Sequence, residues 1–135
     1  MSEELVQVDL VTPERHVTTI DASMVEVPGT MGDFGVLPGH SPLISTIRPG
    51  VVTVHPLTGE KQRYLVLGGI AEVTNTRCTL LAEYLEDVSS VTREQADKRL
   101  VQARKAEDDA VAEDEKRAAE RELKIAEALA LGLAA

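Results

Sequence analysis

The sequence predicts an α+β chain, with a β-sandwich or flattened barrel over residues 1–87 and an α-helical hairpin over residues 88–135. Three observations predict it. Up to Asp87 the 135-residue chain is rich in Val, Thr and Gly and holds all six prolines, whereas beyond Asp87 proline is absent and Gly132 is the single glycine. The first part repeats short runs in which apolar and polar residues alternate, the period of a half-buried strand. The second part is dominated by Ala, Glu, Lys, Arg and Leu, with apolar residues at helical spacing.

The strand runs, in order, are LVQVDLV (5–11), HVTTI (16–20), MVEVP (24–28), FGVLP (34–38), VVTVHP (51–56), QRYLVLG (62–68), IAEVT (70–74) and CTLLAEY (78–84). Turn signals separate them at TPER, DAS, PGTMGD, PLTGE, GG and TNT. Eight or so strands with tight turns fit a sandwich or flattened barrel better than any helical layout. Hairpins are expected at HPLTGEKQ and EVTNTRCT, where Gly59 and Asn75 can take positive φ.

The helical part opens at SSVTREQADKRL. Thr92 can cap a helix, Gln95 can bond back to it, and Val91 can pack on Ala96, which makes a capping box with a modest staple. One thin stripe follows on Ala96, Leu100, Ala103 and Ala110; a second runs through Ala119, Leu123, Ala126 and Ala130, widened by Ile125 and Leu129. Between them EDDAVAEDEK crowds like charges and weak helix formers, so a break is expected near residues 108–114, with Asp114 capping the second helix. The alternative is one continuous helix of about 40 residues, since neither Gly nor Pro punctuates the break.

Composition removes several classes of function. The formal net charge is -9, from 14 basic and 23 acidic residues. Residues 1–87 hold 12 acidic and 5 basic side chains, and residues 88–135 hold 11 and 9, so the acidity belongs to the β part. Such a surface argues against nucleic acid and against lipid insertion, both of which favour basic faces. A run of about 20 apolar residues, as a membrane span needs, is missing, and MSEELVQVDL has neither the basic nor the apolar region of a leader. Cys78 is the one cysteine and is expected as a packed core thiol. Early basic residues of the tail, Arg93, Lys98, Arg99, Arg104 and Lys105, can meet an acidic partner or lie on a solvated helix face.

Catalytic motifs are missing as well. The chain has no GxxxxGK[ST], GxGxxG, HExxH, CxxC or GxSxG, so neither a cofactor nor a metal is expected. His16, His40 and His55 are scattered, and Ser41 beside His40 would point to the opposite face of an extended segment. One Phe, two Tyr and no Trp leave little to line a deep pocket.

The segment GTMGDFGVLPGHSPLISTIRPG, residues 29–50, packs five glycines and three prolines around Asp33, Phe34 and His40. With the following strand it resembles the hallmark of the ε subunits of F-type ATP synthases, a Gly-acidic-x-Gly-x-Leu/Tyr-Pro-Gly-His-x-Pro-Leu run leading to Pro-Gly. LVQVDLVTPER resembles the family's first strand and turn, and YLVLGGIAEVTNTRCTLLAE its Gly-Gly hairpin and last strands. The resemblance is strong over residues 3–86 and one of texture after residue 88. It implies a flattened antiparallel β-sandwich of about ten strands followed by a C-terminal helical hairpin. It further implies a non-catalytic central-stalk subunit bound to γ and resting on the c-ring, peripheral to the cytoplasmic face of a bacterial inner membrane or the matrix or stroma face of an organelle. The tail would reach the α and β subunits and, in many members, brakes ATP hydrolysis.

Residue by residue, the resemblance puts Asp33, Phe34, Pro38, Gly39 and His40 in the loop that meets the c-ring and the foot of γ, and makes Arg93, Arg99, Arg104 and Lys105 candidate tail contacts. The tail departs from members that bind ATP through an Ile/Leu-Asp-x-x-Arg-Ala motif. Gln95 stands at the Asp position, Lys98 at the Arg and Arg99 at the Ala, so weak ATP binding or none is expected. Two other classes compete with this reading: a generic β-sandwich binding module with a helical interaction tail, and a small histidine-dependent enzyme built around His40.

Overall fold

Alternation sets which residues of the sheet meet. The computed structural model describes residues 5–133 and divides into two compact units between Ser89 and Ser90. Met1 to Glu4, which carry the start of the leader reading, lie outside the described residues.

Among the described residues the first unit holds nine strands: β1 (Val6–Thr12), β2 (Arg15–Gly29), β3 (Gly32–Val36), β4 (Leu43–Ile47), β5 (Gly50–Pro56), β6 (Gln62–Val66), β7 (Gly69–Val73), β8 (Arg77–Ala82) and β9 (Leu85–Asp87). In β1, Val6, Val8 and Leu10 are fully buried while the residues between them are half-exposed. Register carries that face to the neighbours, for Val8 lies opposite Cys78, Leu10 opposite Leu80, and Leu80 opposite Ala71. β1 lies between β2 and β8, the order runs on through β7 and β4, and β4 returns to β2 at the Gly29–Ile47 bridge. The later half of β2 also holds β3 and β5, and β5 leads to β6 and β9. All pairs are antiparallel except β1 with β8. Leu10, Leu80 and Val73 join Val25, Val27, Val36, Val52, Val54 and Val66 in one core, which is the flattened sandwich the sequence predicts.

Three local expectations change. HVTTI and MVEVP are one strand, β2, and DAS between them is a bulge rather than a turn. Ala22 pairs with both Val6 and Pro56, so β2 changes partner there, and Ser23 Oγ donates to the His55 carbonyl at 3.2 Å. Gly68 and Gly69, at φ 136° and 145°, cross from β6 to β7, two strands that do not pair, so they form no hairpin. A Cβ on Gly69 would lie 2.0 Å from the Leu81 carbonyl oxygen, and this close approach is what requires glycine. The hairpin at EVTNTRCT forms without positive φ at Asn75. Thr74 closes it instead, its Oγ1 accepting from the Arg77 N–H at 3.1 Å and its own N–H donating to the Arg77 carbonyl at 2.8 Å. Gly59, at φ 94°, turns β5 into β6 as expected.

Among its described residues the second unit holds two helices, α1 (Arg93–Asp109) and α2 (Glu113–Gly132). The capping box is complete: Thr92 Oγ1 accepts from the Gln95 N–H at 3.1 Å, and Gln95 Oε1 accepts from the Thr92 N–H at 2.9 Å. The chain breaks at Ala110 and Ala112, whose ψ values of 133° and 153° are extended. Continuity would place Asp108 and Asp109 in the middle of an uninterrupted acidic run. With a break, Glu113, Asp114 and Glu115 gain a favourable helix N-terminus. Asp114 is not the cap, however. α2 is entered from Ala112, whose N–H donates to Glu115 Oε1 at 3.1 Å, and Asp114 lies inside the first turn. The buried stripe of α1 is Ala96 and Ala103; that of α2 is Ala119, Ile125, Ala126, Ala128 and Leu129. Across the hairpin Arg99 Nη2 meets Glu122 Oε1 at 3.0 Å.

Candidate partner-binding rim

The segment between Gly29 and Gly50 is the rim where β2, β3 and β4 converge. Gly29 pairs with Gly32 in β3 and with Ile47 in β4. A Cβ at Gly29 would meet the Gly32 carbonyl oxygen at 2.7 Å and the Phe34 ring at 2.9 Å, so the turn closes this tightly only over glycine. Phe34 is half-buried and packs on the core. Past β3, Leu37, Pro38, Gly39 and His40 form a β-turn in which the His40 N–H donates to the Leu37 carbonyl at 3.1 Å. Pro38 at its second position and Gly39 at φ 83° in its third make it type II. The Gly39 N–H also donates to the Asn75 carbonyl at 2.8 Å, tying this turn to the β7–β8 turn.

The LISTI run inside the segment, which the sequence leaves as loop, is strand β4, paired with β7 from Leu43–Val73 to Ile47–Gly69. Prolines at 42 and 49 bracket it, and the long-range partner supplies what the local pattern lacks.

Asp33 and His40 stand in different surroundings. Asp33 is in β3, opposite Pro28, and its Oδ1 accepts from Arg48 Nη2 at 2.5 Å. His40 accepts nothing at Nδ1. That nitrogen lies 2.6 Å from the Ser41 carbonyl, so it carries the proton and donates, which leaves Nε2 as the ring's acceptor. Arg48, which the sequence reading passed over, also donates from Nη1 to the Gly29 carbonyl at 2.6 Å. Its signal was available: a lone cation fifteen positions after Asp33, just before the Pro-Gly that ends the rim.

The histidines do not converge. His16 Nε2 bonds Thr19 Oγ1 at 2.8 Å, and that hydroxyl donates to Asp9; His55 Nε2 meets Glu26 Oε2 at 2.6 Å. Among the described residues no group of three or more His, Cys, Asp or Glu is arranged to hold a metal ion. Cys78 is buried, and burial first, the nearby Asp9 charge second, push its thiol up to about 12. A thiol so firmly protonated is a poor nucleophile. In the tail, Gln95 is committed to its cap, Arg99 to Glu122, and Lys105 to Asp109 at 3.1 Å, while Arg93, Lys98 and Arg104 are exposed.

A sandwich with a glycine-pinned rim, followed by a helical hairpin, defines a class. Residues 5–88 match the family of the ATP synthase delta/epsilon chain, β-sandwich domain. The ATP synthase epsilon chain of Rhodospirillum rubrum is 44% identical over 126 residues, covering 93% of this chain and 94% of that one. That of Paramagnetospirillum magneticum is 40% identical over 131 residues, covering 97% and 98%. The chain belongs to the ATP synthase epsilon-chain family. Among solved structures it is similar to a chain of the Euglena gracilis mitochondrial ATP synthase, OSCP/F1/c-ring in rotational state 1, with TM-score 0.67, 21% identity and coverage of 92% and 78%. A chain of the Tetrahymena thermophila mitochondrial ATP synthase central stalk/c-ring matches with TM-score 0.56, 18% identity and coverage of 90% and 93%. No helix among the described residues is long and apolar enough to cross a membrane.

Proposed function

We propose that this chain is a non-catalytic rotor subunit at the foot of the central stalk of a proton-translocating F-type ATP synthase. It joins γ to the c-ring, peripheral to the cytoplasmic face of a bacterial inner membrane or to the matrix or stroma face of an organelle. The observation that carries the reading is the pinned rim. Its turn is closed over Gly29, its second turn is tied to Asn75, and Met31 and Leu37 stand 97% and 56% exposed beside it. A torque-bearing edge has to be stiff and to offer contact area, and this one does both. A row across the sheet supports the γ contact, since Thr46, Ile70, Leu81 and Val11 follow one another in register with Ile44 alongside. Ile44, Ile70 and Leu81 are 72%, 45% and 43% exposed, an apolar surface that suits a protein partner.

The helical hairpin is the element that reaches α and β and restrains ATP hydrolysis, with the exposed Arg93 and Arg104 as cationic contacts, joined by Arg99 and Lys105 where these leave Glu122 and Asp109. It binds ATP weakly or not at all, because Gln95 lacks the carboxylate and already caps α1. Calorimetry with ATP tests this, and micromolar affinity localised to α1 overturns it.

Purification of a tagged chain from solubilised membranes tests the assembly itself. The other stalk and head subunits are expected with it, and their absence overturns the reading. Replacing Asp33 and His40 with Ala is expected to leave the circular dichroism spectrum unchanged and to weaken rotation-linked proton pumping. Unchanged pumping overturns the assignment of the rim to the membrane sector.

A further inference from the structure

We propose that Arg48 is a positioning residue of the rim, a clip that holds β2 to β3, and that Asp33 serves as its anchor rather than as a charge read by the partner. The inference rests on the rim being the docking edge. Arg48 follows β4 directly, and its backbone N–H donates to the Pro28 carbonyl at 2.9 Å, which fixes its stem on β2. From there one guanidinium nitrogen takes the Gly29 carbonyl on β2 and another takes the Asp33 carboxylate on β3. Two planar donors of one rigid group therefore bridge the two strands that the Thr30–Met31 turn connects. On the other side the Thr30 N–H donates to the Thr46 carbonyl at 3.1 Å, and the Thr30 and Thr46 hydroxyls lie 2.5 Å apart. The tip is thus held from β4 on one side and by Arg48 across its base.

Both charged partners are solvated, at 43% exposure for Arg48 and 74% for Asp33, so the pair adds little to global stability and its effect is local. With Asp33 paired to Arg48, the rim presents the exposed Met31 and Leu37 beside the half-buried His40. The partner surface that fits is apolar with hydrogen-bonding groups, rather than a cluster of lysine or arginine.

The test uses the full chain and four variants: D33N, R48Q, D33N/R48Q and the swap D33R/R48D. Amide hydrogen exchange at Thr30 and Arg48 is measured on the free protein, and docking is measured on membranes stripped of this subunit. R48Q and D33N are each expected to speed Thr30 exchange and weaken docking by about fivefold, and the double variant to be no worse than either single one. The swap restores the ion pair but leaves the Gly29 carbonyl without its donor, so it is expected to dock better than either single variant, though short of the original, at unchanged melting temperature. A cation on the partner that reads Asp33 gives a different pattern: D33N hurts, R48Q does not, and the swap fails to recover docking. That result overturns the proposal. Unchanged Thr30 exchange in R48Q also overturns it, whatever the docking result. If the original chain fails to dock, the reading of the rim as a docking edge falls, while the exchange data still decide the clip.

Discussion

The sandwich and the helical hairpin are held together by different means. Sandwich strands contribute Leu10, Leu80 and a set of fully buried valines to one core, with pairing that runs from β1 around to β4 and back to β2. In the hairpin α1 buries two alanines and α2 offers Ile125 and Leu129 among alanines. An alanine methyl removes far less apolar area from water than a leucine or valine side chain, so the hairpin opens at lower cost. The lesson is that rigidity and releasability are written in side-chain volume before they appear in topology.

The largest expected effect breaks the sandwich. Leu80 is 0% exposed, and Leu80→Ala is expected to cost about 3 kcal/mol, from lost burial and the cavity left behind. Urea denaturation followed by β-sheet circular dichroism measures it. Amide exchange in α1 and α2 is expected to stay as it was. If those amides speed up equally, the two units open as one and the contrast between them is wrong.

Cys78 gives the next effect, as a dependence on pH. Its thiol is raised in the folded chain to about 12 from an ordinary 9.0. Between those values the unfolded chain has lost the proton and the folded chain keeps it, so stability falls as pH rises, and the contribution is absent below the lower value. The limiting slope is about 1.4 kcal/mol per pH unit. Melts at pH 8 and pH 10 should show a steeper loss for the original chain than for Cys78→Ala. Tyr64, raised by burial and then by Asp87, adds loss of the same sign at still higher pH in both chains. Equal slopes would mean that Cys78 reaches solvent in the folded state.

These two effects also mark what could be seen in advance. Period-two alternation exposed the core of β1, β5 and β8 and the placement of Cys78, because one face of each strand is buried and the pattern is local. The capping box at Thr92 was equally local. β4 was not, since Leu43 and Ile44 are exposed and the strand exists through its pairing with β7. Ser23 looked like a turn because a bulge and a turn use the same polar residues, and only the double pairing of Ala22 tells them apart. At the rim the motif marked Asp33 and His40, yet the partner that organises Asp33 is Arg48, fifteen residues away and adjacent only once β3 and β4 both flank β2.

A smaller effect sharpens the hairpin side of the comparison. Thr92→Ala removes the hydroxyl that accepts from the Gln95 N–H and leaves only the reciprocal bond from its backbone N–H to Gln95 Oε1, at an expected cost of about 1 kcal/mol confined to α1. In a marginal element that is a large fraction of its stability, so amides in the first turns of α1 should exchange several-fold faster while β1 and β8 amides do not change. Thr92→Ser should restore protection. Loss of protection in β8 would mean that the cap supports the sandwich as well.

The smallest expected effect asks what closes the hairpin. Arg99 meets Glu122 through Nε at 3.3 Å and Nη2 at 3.0 Å, a polar bridge from α1 to α2. Glu122 is half exposed, so water and salt already satisfy much of its charge. Glu122→Gln is therefore expected to cost about 0.5 kcal/mol or less, measured as exchange at Ala103 and Ala126, and to lose even that in high salt. Ala103→Gly, which removes a buried methyl and loosens the helix, is expected to cost more, about 1 kcal/mol. The order of the two is what matters. If Glu122→Gln proves the costlier, the hairpin is held by charge, and its release would respond to ionic strength. With Ala103→Gly the costlier, release responds to competition for the alanine face, which is how a partner helix or subunit would open it.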